Sequence, residues 1–320
     1  MFGLYVADAF GNKELLYRDP AISSLWARPL ARRPPPPEVA TSVSSTGKDT
    51  GTFFLKDVKE SWPHLPSNTT ITQLRIIQVL LKTTPNADSP KVGAAFAAPG
   101  KQVLGTVPVE VDGSAFFEVP ARTPMLFQAL DPQGRAVQTM RSVVYLQPGE
   151  NESCVGCHEH RMKKESSGAQ AMACRRAPSI IKPGPDGTRP FSYPRLVQPV
   201  LDRHCVQCHD GRDPKRPVLT GAPEGAFTKS YNALVSRVSF SAWNRPQKNF
   251  EPLTEPMRFG ALGSPLMKTL EKARCKIALT PDEQERLYTW MDANGLFYGT
   301  FDVNEQAKQL TGERIEGPKE

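Results

Sequence analysis

Long apolar runs are missing from this chain of 320 residues. No stretch approaches the roughly 18 consecutive apolar residues that a membrane-spanning helix needs. With 39% hydrophobic residues and a mean hydropathy of −0.42, the composition predicts no membrane span. A basic block interleaved with aromatics is missing too. The net charge is +7 and the pI about 9.1, but the Lys and Arg are scattered. That argues against a nucleic-acid partner and for a solvated surface, or for bound anionic groups that offset part of the charge. The N-terminus, "MFGLYVADAFGNKELLYRDP", lacks a basic n-region, a sufficient h-region and a small-residue cleavage site, so it does not read as a signal peptide. Histidine and cysteine are scarce, at five and six residues, so any place that crowds them is informative. Proline, by contrast, is abundant at 31 residues, which argues against a long helical bundle and for strands, turns and irregular coil.

The organisation along the chain follows from local pattern. Residues 1–30 hold one hairpin, in which "LYVAD" and "ELLYR" flank the turn "AFGNK". A lone hairpin is marginal in water, so it reads as the remnant of a larger element or as a docked appendage. Residues 31–40 are a linker in which Pro34 to Pro37 impose polyproline II. Residues 41–150 read as a β-sandwich-like domain: "TQLRIIQVLLK" (72–82) is one long strand, and shorter runs follow between Asp112-Gly113, Pro120 and Asp131-Pro132-Gln133-Gly134. Alternation marks Phe117 and Val119 around Glu118, and Met125, Phe127 and Ala129. His64, the one histidine here, reads as an ordinary surface or core residue. Residues 151–302 change to helices and loops. Leu196, Val197, Val200 and Leu201 share a helical face in "YPRLVQPVLDRHC". "TPDEQERLYTWMDANG" is a helix with Thr280 as N-cap, Pro281 at its first position, Glu283 closing a capping box and Gly295 as C-terminal cap. Leu287, Trp290 and Met291 form its apolar face. Residues 303–320 read as a charged, frayed tail.

Two short stretches carry the chemistry. "SCVGCHEHR" (153–161) and "HCVQCHDG" (204–211) each contain Cys-x-x-Cys-His, the attachment pattern of a c-type haem. Cysteines three apart lie about one turn apart, so Cys154 with Cys157, and Cys205 with Cys208, can form thioethers with the two vinyl groups on one porphyrin edge. The next residue, His158 or His209, then lies beneath the ring and supplies the proximal nitrogen to iron. A thioredoxin-like dithiol needs one such pair after a strand in a βαβ unit, and neither pair is expected to follow a strand. A four-cysteine zinc site could gather both pairs on one metal, yet leaves the two following histidines unexplained.

The sixth position on each iron separates a closed electron carrier from a site open to small molecules. Candidate distal ligands are His160, Met162, His204, Met257 and Met267, with Tyr193 a further one; packing or surface exposure is the commoner role for each type. His160 lies too close to His158 to cross to the opposite face of the same ring, which leaves it the second haem. Cys174 and Cys275 remain, and in an extracytoplasmic setting they are expected to pair as a disulfide; the alternative makes Cys275 a haem ligand.

Several runs resemble one family over nearly the whole chain. "YVADAFGNKELLYRDPAIS", "IIQVLLKTTPNADSPKVG", "RAPSIIKPGPDGTRPFSYPRLVQPVLDRHCVQCH" and "LTPDEQERLYTWMDANGLFYGTFD" are similar to hydrazine-synthase-alpha-like multihaem proteins of planctomycetes and related bacteria. The run from Val103 into the first haem motif is the most specific part. The resemblance implies a propeller ahead of these segments, of which residues 1–30 would be the last blade edge, and so a C-terminal portion of a longer protein. It also implies a β middle domain and a C-terminal part with two c-type haems. Where hydrazine synthase has a tyrosine shortly after the motif of its catalytic haem, Met162 stands here. Where relatives often carry Gly-His ahead of the last capped helix, Arg274 and Cys275 stand. These departures carry over the scaffold rather than the reaction.

The expectation is therefore an α+β multidomain chain: a β-sandwich-like domain followed by a mostly α cytochrome c-like domain carrying two haems. The expected function is electron transfer in the periplasm or cell envelope, with a redox partner protein and a place in a multisubunit complex. One alternative is a haem-dependent oxidoreductase acting on a small nitrogen or oxygen species at one open haem. The other is a structural four-cysteine zinc module.

Overall fold

The computed structural model describes residues 1–38, 41, 47, 49–157, 170–242, 254–271 and 277–318. Two compact units divide the chain, Met1–Thr41 and Ser42–Glu320.

The first unit is the expected hairpin. β1 (Leu4–Ala7) pairs antiparallel with β2 (Lys13–Tyr17). Asp8 closes its turn by accepting from the backbone N–H groups of Phe10 and Asn12 at 2.9 Å, while Gly11 supplies the left-handed residue with φ +91°. Both strands are almost wholly solvent-exposed, including Tyr5, Val6, Leu15 and Leu16.

The second unit is α+β. Its β part has two sheets. The first is three-stranded: β3 (Thr50–Leu55) lies between β6 (Ala115–Pro120), antiparallel to it, and β9 (Asn151–Cys154), parallel to it. The second, in spatial order, is β5 (Lys101–Pro108), β4 (Gln73–Val79), β7 (Met125–Leu130) and β8 (Ala136–Thr139), all antiparallel. Side chains from both sheets share one core, in which Phe53 and Phe117 meet Phe127 edge-on at 5.2 and 5.5 Å. Such edge-to-face pairs contribute about 0.5–1.5 kcal/mol each beyond area burial.

β6 alternates between buried and half-buried positions as its sequence predicts. β7 does not: Leu126, Gln128 and Leu130 are buried along with Met125 and Ala129. The reason is a second covering layer. The far face of the four-stranded sheet meets helices, so its strands lose the polar side that alternation presumes.

The helices are α1 (Tyr193–Leu196), α2 (Gln198–His204), α3 (Lys229–Val235), α4 (Gly260–Gly263), α5 (Pro265–Glu271), α6 (Pro281–Asp292) and α7 (Val303–Leu310). A short hairpin, β10 (Pro223–Glu224) with β11 (Phe227–Thr228), precedes α3. The helices build a second core around Tyr193, Tyr231, Trp290 and Phe297, and Val92, Ala95 and Ala98 from the β4–β5 connection join it. Among the described residues, no helix is long and apolar enough to cross a membrane.

Three expectations need correction. The change to helices and loops at 151 comes later, because β9 (151–154) extends the three-stranded sheet. The segment after 302 is not a frayed tail. Asp302 caps α7 by accepting from the backbone N–H groups of Asn304 and Glu305, and Gln306 and Gln309 turn inward to backbone carbonyls of Thr300 and Phe191. Gly295 does not end α6 alone, since Asn294 enters the left-handed region before it, at φ +76° against +61°. Asn tolerates this region better than most residues, and here its side chain is further held by the Ser241 backbone, 53 residues away in sequence.

α6 is tied at both ends. At its N-terminus Thr280 and Glu283 form the predicted capping box, and the buried Glu283 carboxylate also reaches His204 at 3.0 Å and Arg203 on α2. The Thr280 backbone N–H, opposed by desolvation and aided by His204, holds Glu283 at about 2 against an ordinary 4.5. At the C-terminus, Asp292 is fully buried and pairs with the buried Arg75 of β4 at 2.9 Å. Asp292 also accepts from the backbone N–H groups of Ala136 and Ala261, while Arg75 donates to Gln128 and to the Gly134 carbonyl. Burial pushes the Asp292 carboxyl upward despite Arg75.

Two outcomes are expected. Arg75→Ala strands a carboxylate in the interior and should cost about 3–5 kcal/mol in urea unfolding. A cost under about 1 kcal/mol, the range of exposed pairs, would remove the pair from its structural role. Glu283 has a depressed pKa, so its stabilisation is complete above the ordinary glutamate range and is lost as the pH falls from about 4.5 towards about 2. Glu283→Gln should therefore flatten the acid limb of a stability–pH curve over that interval, and an unaltered limb would contradict the assignment.

Candidate haem sites

The second motif leaves α2 in a single tight turn. Cys205 donates its backbone N–H to Leu201 at 2.8 Å, Cys208 donates back to Cys205 at 3.1 Å, and His209 donates to the carbonyls of Cys205 and Val206. Both cysteines and the histidine thus leave one turn of chain, as two thioethers and an axial ligand require. The loop beyond it folds back: His209 Nδ1 lies 3.0 Å from the carbonyl oxygen of Pro217, and Leu219 N–H donates to the His209 carbonyl at 2.8 Å. A carbonyl only accepts, so the Nδ1 carries the proton and the Nε2 keeps its lone pair for a metal.

This motif opens on a cavity of about 670 Å³. Cys205 and His209 line it together with Val200, Leu201, Leu219, Leu234, Leu287 and Trp290, so the wall is almost wholly apolar. Cavities of a few hundred cubic ångströms with such a lining are the usual form of a cofactor site. The residues fit a c-type haem: the Cys205 thiol at the wall, an imidazole in the right tautomer and apolar walls for the macrocycle, with Cys208 exposed one turn on from Cys205.

The first motif is built differently. β9 delivers Cys154 at the sheet edge opposite Leu55, and the chain stays bonded to the segment after β3 through Lys56 N–H to the Cys154 carbonyl and Cys157 N–H to the Glu60 carbonyl, both 2.9 Å. Gly156, inside the motif, passes so close to Glu60 that a Cβ would collide with its carbonyl oxygen. Contrary to expectation, the first pair does follow a strand. That strand is the parallel partner of β3 at a sheet edge and is not the opening of a βαβ unit with a described helix. Cys154 and Cys157 pack against the β core, and Cys205 against the helical core. Among the described residues, no three His, Cys, Asp or Glu converge on a metal-sized site, and all four motif cysteines are described. A single four-cysteine zinc centre is therefore not assembled.

The remaining candidates scatter. His158, His160, Met162 and Cys275 lie outside the described residues. His204 turns its Nε2 to Glu283. Met267 is buried in the helical core, between Leu266 and Lys268, which line the cavity. Met257 packs on the β core with its N–H on the Val137 carbonyl at 2.7 Å. Tyr193 is fully buried beside Tyr231, Trp290 and Phe297, and burial pushes its phenol far above the usual range, which opposes a phenolate ligand. Cys174 is exposed in a short 3-10 turn, Met172–Arg175, held by Asp112 and Ser114. His64 is exposed and meets Trp62 edge-on. Sequence reasoning missed Pro217, whose role lies in a carbonyl that no side-chain pattern advertises. It also missed Arg237 and Lys268 at the cavity, which long-range folding alone brings there.

Known proteins share segments and fold with this chain. Residues 69–159 match the family model described as hydrazine synthase alpha subunit middle domain, a span that ends just past the first Cys-x-x-Cys-His. Hydrazine synthase subunit alpha of Kuenenia stuttgartiensis is 25% identical over 201 aligned positions, covering 45% of this chain and 24% of that protein. A solved structure of Kuenenia stuttgartiensis hydrazine synthase superposes with a TM-score of 0.58 at 20% identity, covering 79% of this chain and 44% of the other, which is a likeness of fold. The chain thus spans about a quarter of the length of the curated relative. In its matched middle segment, its sequence and its fold, the chain is similar to the hydrazine synthase alpha subunit.

Proposed function

We propose that the chain is a dihaem c-type cytochrome of the periplasm or cell envelope that transfers electrons to a partner protein. The observation that carries this reading is the second motif: Cys205 and His209 on one wall of a large apolar cavity, with the His209 tautomer set by Pro217. When bound there, a haem supplies a reversible one-electron change at its iron.

The chain's own residues would do the rest. Cys205 and Cys208 would anchor one macrocycle and Cys154 and Cys157 the other, with His209 and His158 as the proximal ligands. The Pro217 carbonyl would hold the His209 ring in orientation and raise its basicity, which favours the ferric iron and lowers the potential. Leu201, Leu234 and Leu287 would exclude water from the ring face. Covalent attachment of this kind belongs to an oxidising compartment, which supports an extracytoplasmic site of assembly. The β part, sandwich-like in its two sheets, would present the first haem, and the helical part, cytochrome c-like, the second. The Kuenenia relative is named as a subunit, and that supports a place in a multisubunit complex.

A second reading, an oxidoreductase acting on a small nitrogen or oxygen species at one open haem, draws on the likeness to hydrazine synthase. The two readings part on the sixth ligand. Protein matured in a periplasm should contain two haems per chain by pyridine haemochrome assay, and Cys205→Ala with Cys208→Ala should reduce this to one. An unchanged haem count in that variant would contradict the assignment of the second site. The carrier reading expects a ferrous spectrum unresponsive to carbon monoxide at both haems. Stoichiometric binding at one of them would reject the closed carrier and select the oxidoreductase.

A further inference from the structure

A haem brings two carboxylates on one edge of an otherwise apolar ring, and the cavity at the second motif is apolar almost throughout. Burying an unpaired carboxylate in such a wall is costly. The cavity therefore needs cations where that edge emerges. Its described lining has two besides His209, namely Arg237 and Lys268.

Their placement is built into the fold. Arg237 follows the end of α3, and its carbonyl accepts from the Leu266 N–H at 3.0 Å, which pins the start of α5 beside it. Lys268 lies two residues further along α5. Leu234, three residues before Arg237, and Leu266, two before Lys268, are buried in the cavity wall, while Arg237 and Lys268 themselves reach solvent. This is how long cationic side chains behave at a mouth, with apolar stem inward and charged head outward. The arginines near the motif are paired elsewhere: Arg203 with Glu283, Arg212 with Asp210 and Arg216 with Asp213; Lys215 is not among the residues that line the cavity. Arg237 and Lys268 have no side-chain hydrogen bond or ion pair among the described residues.

We propose that Arg237 and Lys268 receive the two propionate carboxylates of the haem attached at Cys205 and Cys208, which fixes the orientation of the ring and raises its reduction potential. The proposal rests on the dihaem reading. Held by thioethers to Cys205 and Cys208 and by cations at its carboxylates, the macrocycle would have one way to lie. Each cation offsets a carboxylate charge that would otherwise stabilise ferric iron, and each keeps its carboxylate ionised across neutral pH.

The test is a redox titration of the matured holoprotein at several pH values, followed at the couple that disappears from the Cys205→Ala, Cys208→Ala control. Arg237→Gln and Lys268→Gln should each lower the midpoint potential of that couple, and the double variant should lower it further. The double variant should also acquire a potential that falls as the pH rises towards neutrality, because its carboxylates now titrate there. Arg237→Lys and Lys268→Arg should keep the wild-type potential, which separates charge from any loss of packing. A double variant with both haems attached and the wild-type potential and pH profile would overturn the proposal. A wild-type protein with no haem at Cys205 and Cys208 would instead overturn the dihaem reading, and would be seen in the haemochrome assay before any variant is made.

Discussion

The buried pair between Arg75 and Asp292 joins the two halves of the large unit. An aspartate at the C-terminal end of a helix opposes the helix dipole, and a fully desolvated carboxylate is costly by itself. Asp292 is tolerated because every oxygen is used: by Arg75 of β4, by the N–H of Ala136 on β8 and by the N–H of Ala261 on α4, while its own carbonyl accepts from Gln128 of β7. One residue at the end of α6 is thereby fixed against three strands of a sheet and a second helix. Removing one partner of such a pair leaves an uncompensated buried charge, whereas apolar replacement of both often does as well.

From that fixed end α6 runs to the second haem motif. Its N-terminal Glu283 holds His204, the residue before Cys205, and its inner face contributes Leu287 and Trp290 to the cavity. The position of the cavity wall relative to the sheet is thus set by one twelve-residue helix anchored by an ion pair at each end. The first motif is fixed more directly, as the continuation of β9 along β3. The two attachment sequences are alike, yet one is held by a sheet edge and the other by a helical turn. Cys-x-x-Cys-His thus makes few demands on the fold around it beyond its own turn.

What was legible in the sequence were features whose cause is local. The hairpin at Leu4–Tyr17, the alternation of β6 and the capping box of α6 each follow from a few adjacent residues. The turn of Cys205–His209 belongs with them, because its hydrogen bonds lie within a few adjacent residues. What escaped was set by tertiary contacts. β7 is buried on both faces because α6 covers the sheet. Residues 303–310 are helical because Gln306 and Gln309 find buried carbonyls, although their composition reads as a solvated tail. Pro217 and the cavity cations lie 8, 28 and 59 residues beyond His209 and are brought to it only by the folded chain. The similarity to hydrazine synthase subunit alpha supplies the scaffold's kinship, and the local chemistry of the cavity supplies the argument for what it holds.

The central claim, that four cysteine sulfurs carry two porphyrins, is tested most directly by intact-mass spectrometry of the exported, matured protein under denaturing conditions. The account predicts the polypeptide mass plus that of two haem groups, with one added mass on the peptide containing Cys154 and Cys157 and the other on that containing Cys205 and Cys208. An unmodified polypeptide mass from material matured in a haem-attaching periplasm would contradict it.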